Sequence, residues 1–227
     1  MIIRVIGTGS QGNCYYVERS GMALIIEAGI SYDTVTRVLG EDIKKVVGVL
    51  VTHEHGDHIK YVQDFINRGY EVYMSNGTAT GAGIPQYMVN VIQAKQPFFL
   101  KDFHIMPFEL EHDVLEPTGF MIDIEDKRLV FATDTYYIKY KFPNVTHYIV
   151  ECNHDMETML SSGDNKYLVS RIMESHMSLE TLVKYFKASD LSKVEEIHLI
   201  HASSRNGNRN LIADTIKRHT GKYVVVH

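Results

Sequence analysis

Cysteine is scarce: only Cys14 and Cys152 occur in 227 residues, and neither stands in a C-x-x-C pair. That excludes a disulfide framework and a thiolate zinc knuckle, and points to a reducing compartment. Positive charge is not in excess either. Lys and Arg number 23 against 28 Asp and Glu, a formal net charge of −5. No global field therefore holds nucleic acid, and any such contact must be local. No apolar run approaches the roughly 18 residues that a membrane span needs. Residues 1–6 run straight into a strand-like pattern, with no basic region, apolar stretch or cleavage site of a secretory leader. A cytoplasmic protein without a membrane partner is the expectation. There is no repeat, low-complexity tract, charge block or linker. With 44% hydrophobic and 22% charged residues, the chain is expected to form one soluble domain over residues 1–227.

What is abundant is histidine, 12 in all, and its placement matters more than its number. Strand-like patterns at residues 2–6, 14–18 and 23–27 are separated by glycine-containing loops and read as antiparallel strands. Residues 33–39 have helical spacing. Val46-Val47-Gly48-Val49-Leu50-Val51 then forms a continuous β-branched run, as in a strand buried on both faces. One residue later comes His53-Glu54-His55-Gly56-Asp57-His58. Apolar residues at 59, 62, 65 and 66 predict a helix over 59–68, which puts the His-rich run at a strand-to-helix turn. Further strands are expected at 71–75, 98–100, 103–108, 119–124, 128–132, 147–151, 196–200 and 223–226. Helices are expected near 78–82, 178–187 and 209–218, with Ser178 as N-cap and Gly221 beyond the last C-terminus. The alternation is that of a layered α/β fold.

The chemistry of the run follows from its spacing. His53 and His55 are two positions apart, so a still-extended backbone points both imidazoles to one side as ligands of one metal. Asp57 and His58 lie where the chain turns and can serve a second. Imidazole and carboxylate suit zinc, and two ions roughly 3.5–4 Å apart can share a water.

H-x-H-x-D-H after a buried strand resembles the metallo-β-lactamase superfamily, which implies a four-layer αββα sandwich with metals at the sheet edge. The resemblance implies three further ligands. They are His112 in Leu110-Glu111-His112-Asp113, Asp134 in Phe131-Ala132-Thr133-Asp134-Thr135, and His201 in Leu199-Ile200-His201-Ala202-Ser203. A narrower resemblance, to the YycJ/WalJ-type branch distantly related to ribonuclease Z, rests on three motifs. These are Gly9-Ser10-Gln11-Gly12-Asn13-Cys14, Glu151-Cys152-Asn153-His154-Asp155 and His176-Met177-Ser178. Two positions depart from the superfamily's habit: Glu27 stands where Asp is usual, and Ala202 where a bulkier apolar residue is common.

The resemblance implies one metal on His53, His55 and His112, a second on Asp57, His58 and His201, and Asp134 bridging both. Two divalent ions follow, with Zn²⁺ or Mn²⁺ both accepted by such ligands. A metal-activated water attacking a phosphodiester is the expected chemistry. Asp57 is counted with the catalytic set, His176 is the candidate proton donor to the leaving group, and Glu151 is the candidate to orient it. Ser203, Arg205 and Arg209, just after His201, are candidates for holding substrate phosphates, against the alternative of a solvated loop. The expected partners are a nucleic acid or nucleotide phosphodiester and a second copy of the chain. The acidic balance keeps a cyclic-nucleotide phosphodiesterase open. An ester or thioester hydrolase would not need His176, and a non-catalytic metal-stabilised binding protein would not need a complete ligand set. His104, His147, His198, His219 and His227 lack ligand context, and His154 and Asp155 read as a loop or supporting pair.

Overall fold

The computed structural model describes residues 1–227 as a mixed α/β fold of thirteen strands and eight α-helices. The chain divides into two compact units, one of residues 1–109 and 114–118, the other of residues 110–113 and 119–227.

The first unit runs β1 (Ile2–Gly7), β2 (Cys14–Arg19), β3 (Met22–Ile26), α1 (Tyr32–Leu39), β4 (Val46–Leu50), α2 (Gly56–Ile59) and α3 (Val62–Asn67). It continues with β5 (Val72–Ser75), α4 (Asn76–Gly81), β6 (Asn90–Ile92) and the hairpin β7 (Phe98–Leu100) and β8 (Phe103–Glu109). Its six-stranded sheet has the order β1-β2-β3-β4-β5-β6. The first three strands pair antiparallel, as their short loops require, and β3 to β6 pair parallel. In β4, four of five residues are buried, which is why the run reads as unbroken apolar rather than alternating. Cys14, Tyr16, Ile25, Val49, Val51, Phe65 and Met74 belong to one buried cluster.

The second unit holds β9 (Thr118–Ile124), β10 (Lys127–Ala132), β11 (His147–Glu151), α5 (Met156–Ser161), α6 (Lys166–Ser175), α7 (Leu179–Lys187), β12 (Glu196–Ile200), α8 (Arg209–Thr220) and β13 (Tyr223–Val226). β9 and β10 form an antiparallel pair, after which β10, β11, β12 and β13 are parallel neighbours. Each unit thus passes from antiparallel to parallel pairing, so several of its strands end side by side at their C-termini. Open parallel sheets place reactive groups at that edge. Ser178 caps α7 through the Thr181 amide, and Gly221 ends α8 with a left-handed φ of 67°.

Three details differ from the sequence expectations. The helix over 59–68 is two pieces, α2 and α3, because the Tyr61 amide donates to the Ala28 carbonyl (2.9 Å) instead of continuing the ladder. β6 is only three residues long, too short to show alternation. α5 and α6 leave Leu160, Tyr167 and Met173 exposed, so no clean apolar stripe announces them. No helix is long and apolar enough to cross a membrane.

Candidate metal centre

In the first unit the ligand-bearing turn is fixed from behind. After β3 the chain turns at Glu27, whose φ of 71° is left-handed. Its amide donates to Leu50, and the Ala28 amide donates to His58 (2.7 Å). A Cβ on Gly29 would collide with the Asp57 carbonyl and stand 2.6 Å from the Asn13 amide, so only glycine allows this approach. The Asn13 backbone donates to the Asp57 carbonyl (2.7 Å). Its side-chain amide lies 3.2 Å from Asp57 Oδ2 and 3.1 Å from His58 Nε2. Two backbone bonds and an amide therefore set where Asp57 and His58 stand.

A proton chain decides how His53 presents itself. Glu27 is fully buried and accepts the Thr52 hydroxyl proton at 2.5 Å. Having donated to Glu27, the Thr52 oxygen accepts from His53 Nδ1 (2.9 Å). That holds the ring in the tautomer with its lone pair on Nε2, the usual device behind a metal-bound imidazole. His53 Nε2 lies 3.2 Å from His55 Nδ1. Two nitrogens about 2.0–2.1 Å from one tetrahedral zinc would stand roughly 3.3 Å apart, so the pair fits a shared ion. Glu27, where the superfamily's habit is Asp, thus acts through Thr52.

In the second unit the cluster is assembled from strand ends. Asp134 follows β10 with φ 49°, Glu151 ends β11, and His201 follows β12 with φ 55°. The registers Ala132↔Val150 and Glu151↔Ile200 put them on three adjacent strands. His176 stands at the C-terminal cap of α6. One ligating atom from each of Asp134, Glu151, His176 and His201 falls within 4.8 Å of all the others. The His112 ring is nearly buried, with Nε2 4.0 Å from Asp134 Oδ2 and its centre 5.9 Å from that of His176.

Glu151 is the hub. It is fully buried, and its Oε1 accepts from His176 Nδ1 at 2.6 Å and His201 Nδ1 at 3.1 Å. Its Oε2 accepts the Thr135 and Met177 amides at 3.0 and 3.3 Å. Burial pushes its carboxyl up, but the charge and hydrogen bond of His176 and the bond from His201 outweigh that and leave it lowered. For His176, burial works downward while the Glu151 charge and hydrogen bond work upward, and the net is a raised pKa. Both imidazoles give Nδ1–H to Glu151 and so turn Nε2 outward. On His201 that leaves a lone pair for a metal. On His176 it leaves a nitrogen that can carry a second proton.

Sequence reasoning did not assign functions to Asn13, Thr52 or Asn153, although two of them lay in motifs it noticed. The Asn153 side-chain amide donates to the His201 carbonyl (2.9 Å) and lies 3.4 Å from its Nδ1. Asn13 also closes its own loop, its Oδ1 accepting the Gly9 amide (2.8 Å), so locally it reads as an ordinary turn residue. Asp155 is a scaffold residue that caps α5 at Thr158 and accepts the Asn208 amide, both at 2.8 Å. His154 is buried, which lowers its pKa. Of the residues put forward for phosphates, Arg205 is paired with Asp164 (2.5 Å), Ser203 Oγ accepts the Arg205 and Asn206 amides, and Arg209 opens α8.

Comparison with known proteins gives the family. The chain is 28% identical over 224 residues to exodeoxyribonuclease WalJ of Streptococcus pneumoniae serotype 2, covering 91% of this chain and 83% of that protein. It is 27% identical over 225 residues to exodeoxyribonuclease YycJ of Bacillus anthracis, covering 91% and 84%. Among solved structures, the metallo-β-lactamase fold protein YhfI from Bacillus subtilis superposes with a TM-score of 0.75 at 17% identity, over 99% of this chain and 95% of its own. The family model of the metallo-β-lactamase superfamily matches residues 7–146, taking in the whole His53–His58 turn as well as His112 and Asp134, and to that superfamily the chain belongs.

Proposed function

We propose that the chain, with residues 1–227 working as one domain, is a metal-dependent nuclease that hydrolyses phosphodiesters of DNA. The observation that carries this reading is the Glu151–His176 pair, a buried carboxylate 2.6 Å from an imidazole inside the donor cluster of the second unit. An alkoxide leaving from phosphorus needs a proton at neutral pH, and a paired imidazole with a raised pKa supplies one. The names of WalJ and YycJ agree with that chemistry.

Following the superfamily's pattern, His53, His55 and His112 would hold one divalent ion and Asp57, His58 and His201 a second, with Asp134 as a further donor to the pair. Zinc suits this all-nitrogen-and-oxygen set, and manganese is accepted by it. When bound, such ions make a water nucleophilic near pH 7 and neutralise charge on the phosphoryl oxygens. Thr52 and Glu27 keep His53 in its ligating tautomer, Glu151 does the same for His201, and Asn13 positions Asp57 and His58. As the water oxygen bonds to phosphorus, the P–O bond to the leaving strand breaks. His176 gives its Nε2 proton to that oxygen, and the proton of the water passes to solvent.

The test is hydrolysis of bis(p-nitrophenyl) phosphate, linear DNA, RNA and cyclic nucleotides by protein loaded with zinc or manganese, beside Asp57→Ala/His58→Ala. Cleavage of DNA by wild type alone is expected, with about two metal equivalents on wild type and about one left on the double variant, whose His53, His55 and His112 are intact. If no phosphodiester were cut with either metal, the reading would be wrong.

A further inference from the structure

Residues 110–117 join β8 to β9 without helix or strand, and His112 lies among them. A ligand on a loose stretch must be ordered each time an ion binds, at a cost in affinity. The part that follows His112 is instead fastened within the first unit, to which residues 114–118 belong. The Leu115 amide donates to Oε1 of Glu54, the residue between His53 and His55 (3.1 Å). Glu116 reaches the other way. Its Oε2 accepts the Gly77 amide (2.7 Å) in the first turn of α4, and its carbonyl accepts the Ser75 hydroxyl (3.0 Å). The Thr118 amide then donates to the Thr52 carbonyl (3.0 Å). Three residues span at most about 11 Å, so a pinned Leu115 keeps His112 on a short tether.

Both glutamates depend on glycine. Gly77 and Gly81 are four apart in α4 and share one face of it. A Cβ on Gly81 would stand 2.7 Å from Glu54 Cγ and Oε1, and one on Gly77 would stand 2.4 Å from Glu116 Cβ. Alanine is a better helix former than glycine, so helix stability does not explain these two residues. Their bare face makes room for two carboxylate side chains. Glu54 can yield to a methyl group by swinging away. At Gly77 the new atom would also stand 3.1 Å from the Glu116 backbone nitrogen, so the chain itself must move.

We propose that Glu54 and Glu116 are positioning residues: seated against Gly81 and Gly77, they clasp the segment that follows His112 and so set the affinity for the ion of His53, His55 and His112. This rests on the metal assignment proposed above and adds the device that keeps its third ligand in place. Each glutamate acts as a hydrogen-bond acceptor for a backbone amide on the far side of the clasp, so the carbonyl oxygen of a glutamine can replace it.

The test is titration of Zn²⁺, against a competing chelator, into the full chain carrying Asp57→Ala/His58→Ala, which keeps His53, His55 and His112. Adding Glu54→Ala or Glu116→Ala to this parent should weaken zinc binding about tenfold or more. Gly81→Ala should match Glu54→Ala, although it removes no ligand and no polar group. Glu54→Gln and Glu116→Gln should bind zinc as the parent does. In the metal-free chain, hydrogen exchange at the Leu115 amide should quicken in Glu54→Ala and Gly81→Ala but not in Glu54→Gln. Circular dichroism checks the fold, and if Glu54→Ala unfolds, Gly81→Ala carries the same test. Unchanged zinc affinity in any folded member of the three overturns the clasp. An equal loss in Glu54→Gln overturns it too, since the effect would then belong to charge. A parent that held no zinc would defeat the assignment of the first ion, and the clasp with it, whereas zinc bound equally by parent and variants defeats the clasp alone.

Discussion

The two units reach the same kind of donor set by different routes. In the first, His53, His55, Asp57 and His58 come from one turn of six residues, and the surrounding loops merely brace it. In the second, His112, Asp134, Glu151, His176 and His201 are spread over 90 positions and meet only because three parallel strands end in register. A local turn tolerates the loss of one supporting bond. A centre gathered from strand ends depends on whatever joins them, and here that is Glu151.

The difference can be tested by removing parts from each side. His176→Ala is expected to have the largest effect, a fall in kcat of about 10²–10⁴ with metal content unchanged by atomic absorption. Loss of metal along with activity would make His176 a ligand instead. Glu151→Gln comes next. It removes the charge that holds the His176 pKa up and leaves burial to push it down. The group must be protonated to donate, so the alkaline limb of the pH–rate profile should move to lower pH. Turnover at the optimum should fall about 10–100-fold. An unmoved limb would mean that Glu151 is structural only. Thr52→Val in the first unit is the mildest, because the turn keeps its backbone bonds and loses the tautomer lock on His53 and one donor to Glu27. About tenfold weaker metal binding by titration is expected. If Thr52→Val proved as damaging as Glu151→Gln, the contrast between a braced turn and a gathered centre would fail.

The same contrast explains what the sequence disclosed. The His53–His58 turn was legible because its spacing, its buried strand and its ligand types all lie within a dozen residues. The strands at 98–100, 147–151, 196–200 and 223–226 have the bounds their apolar patterns suggest. His112, Asp134 and His201 were named only through family resemblance, since nothing in their local pattern tells that β10, β11 and β12 are neighbours. The role of Glu27 was obscured by its length and became intelligible only with Thr52 in view. The ion pair of Arg205 was not legible either, because its partner Asp164 lies 41 positions away on a loop without a recognisable signal. The supports Asn13 and Asn153 escaped because a hydrogen bond between distant segments leaves no periodicity behind.

Glu27, Asp134 and His201 share one more property: each turns its strand end at a positive φ, where a side chain other than glycine is strained. Such a backbone costs on the order of 1 kcal/mol or more per residue. Glycine at any of the three would relieve it while deleting a carboxylate or an imidazole. Selection for heat resistance alone would therefore favour sequences that abandon the centre. Survival of these three residues in an evolving population would record demand for the chemistry, because durability would have discarded them.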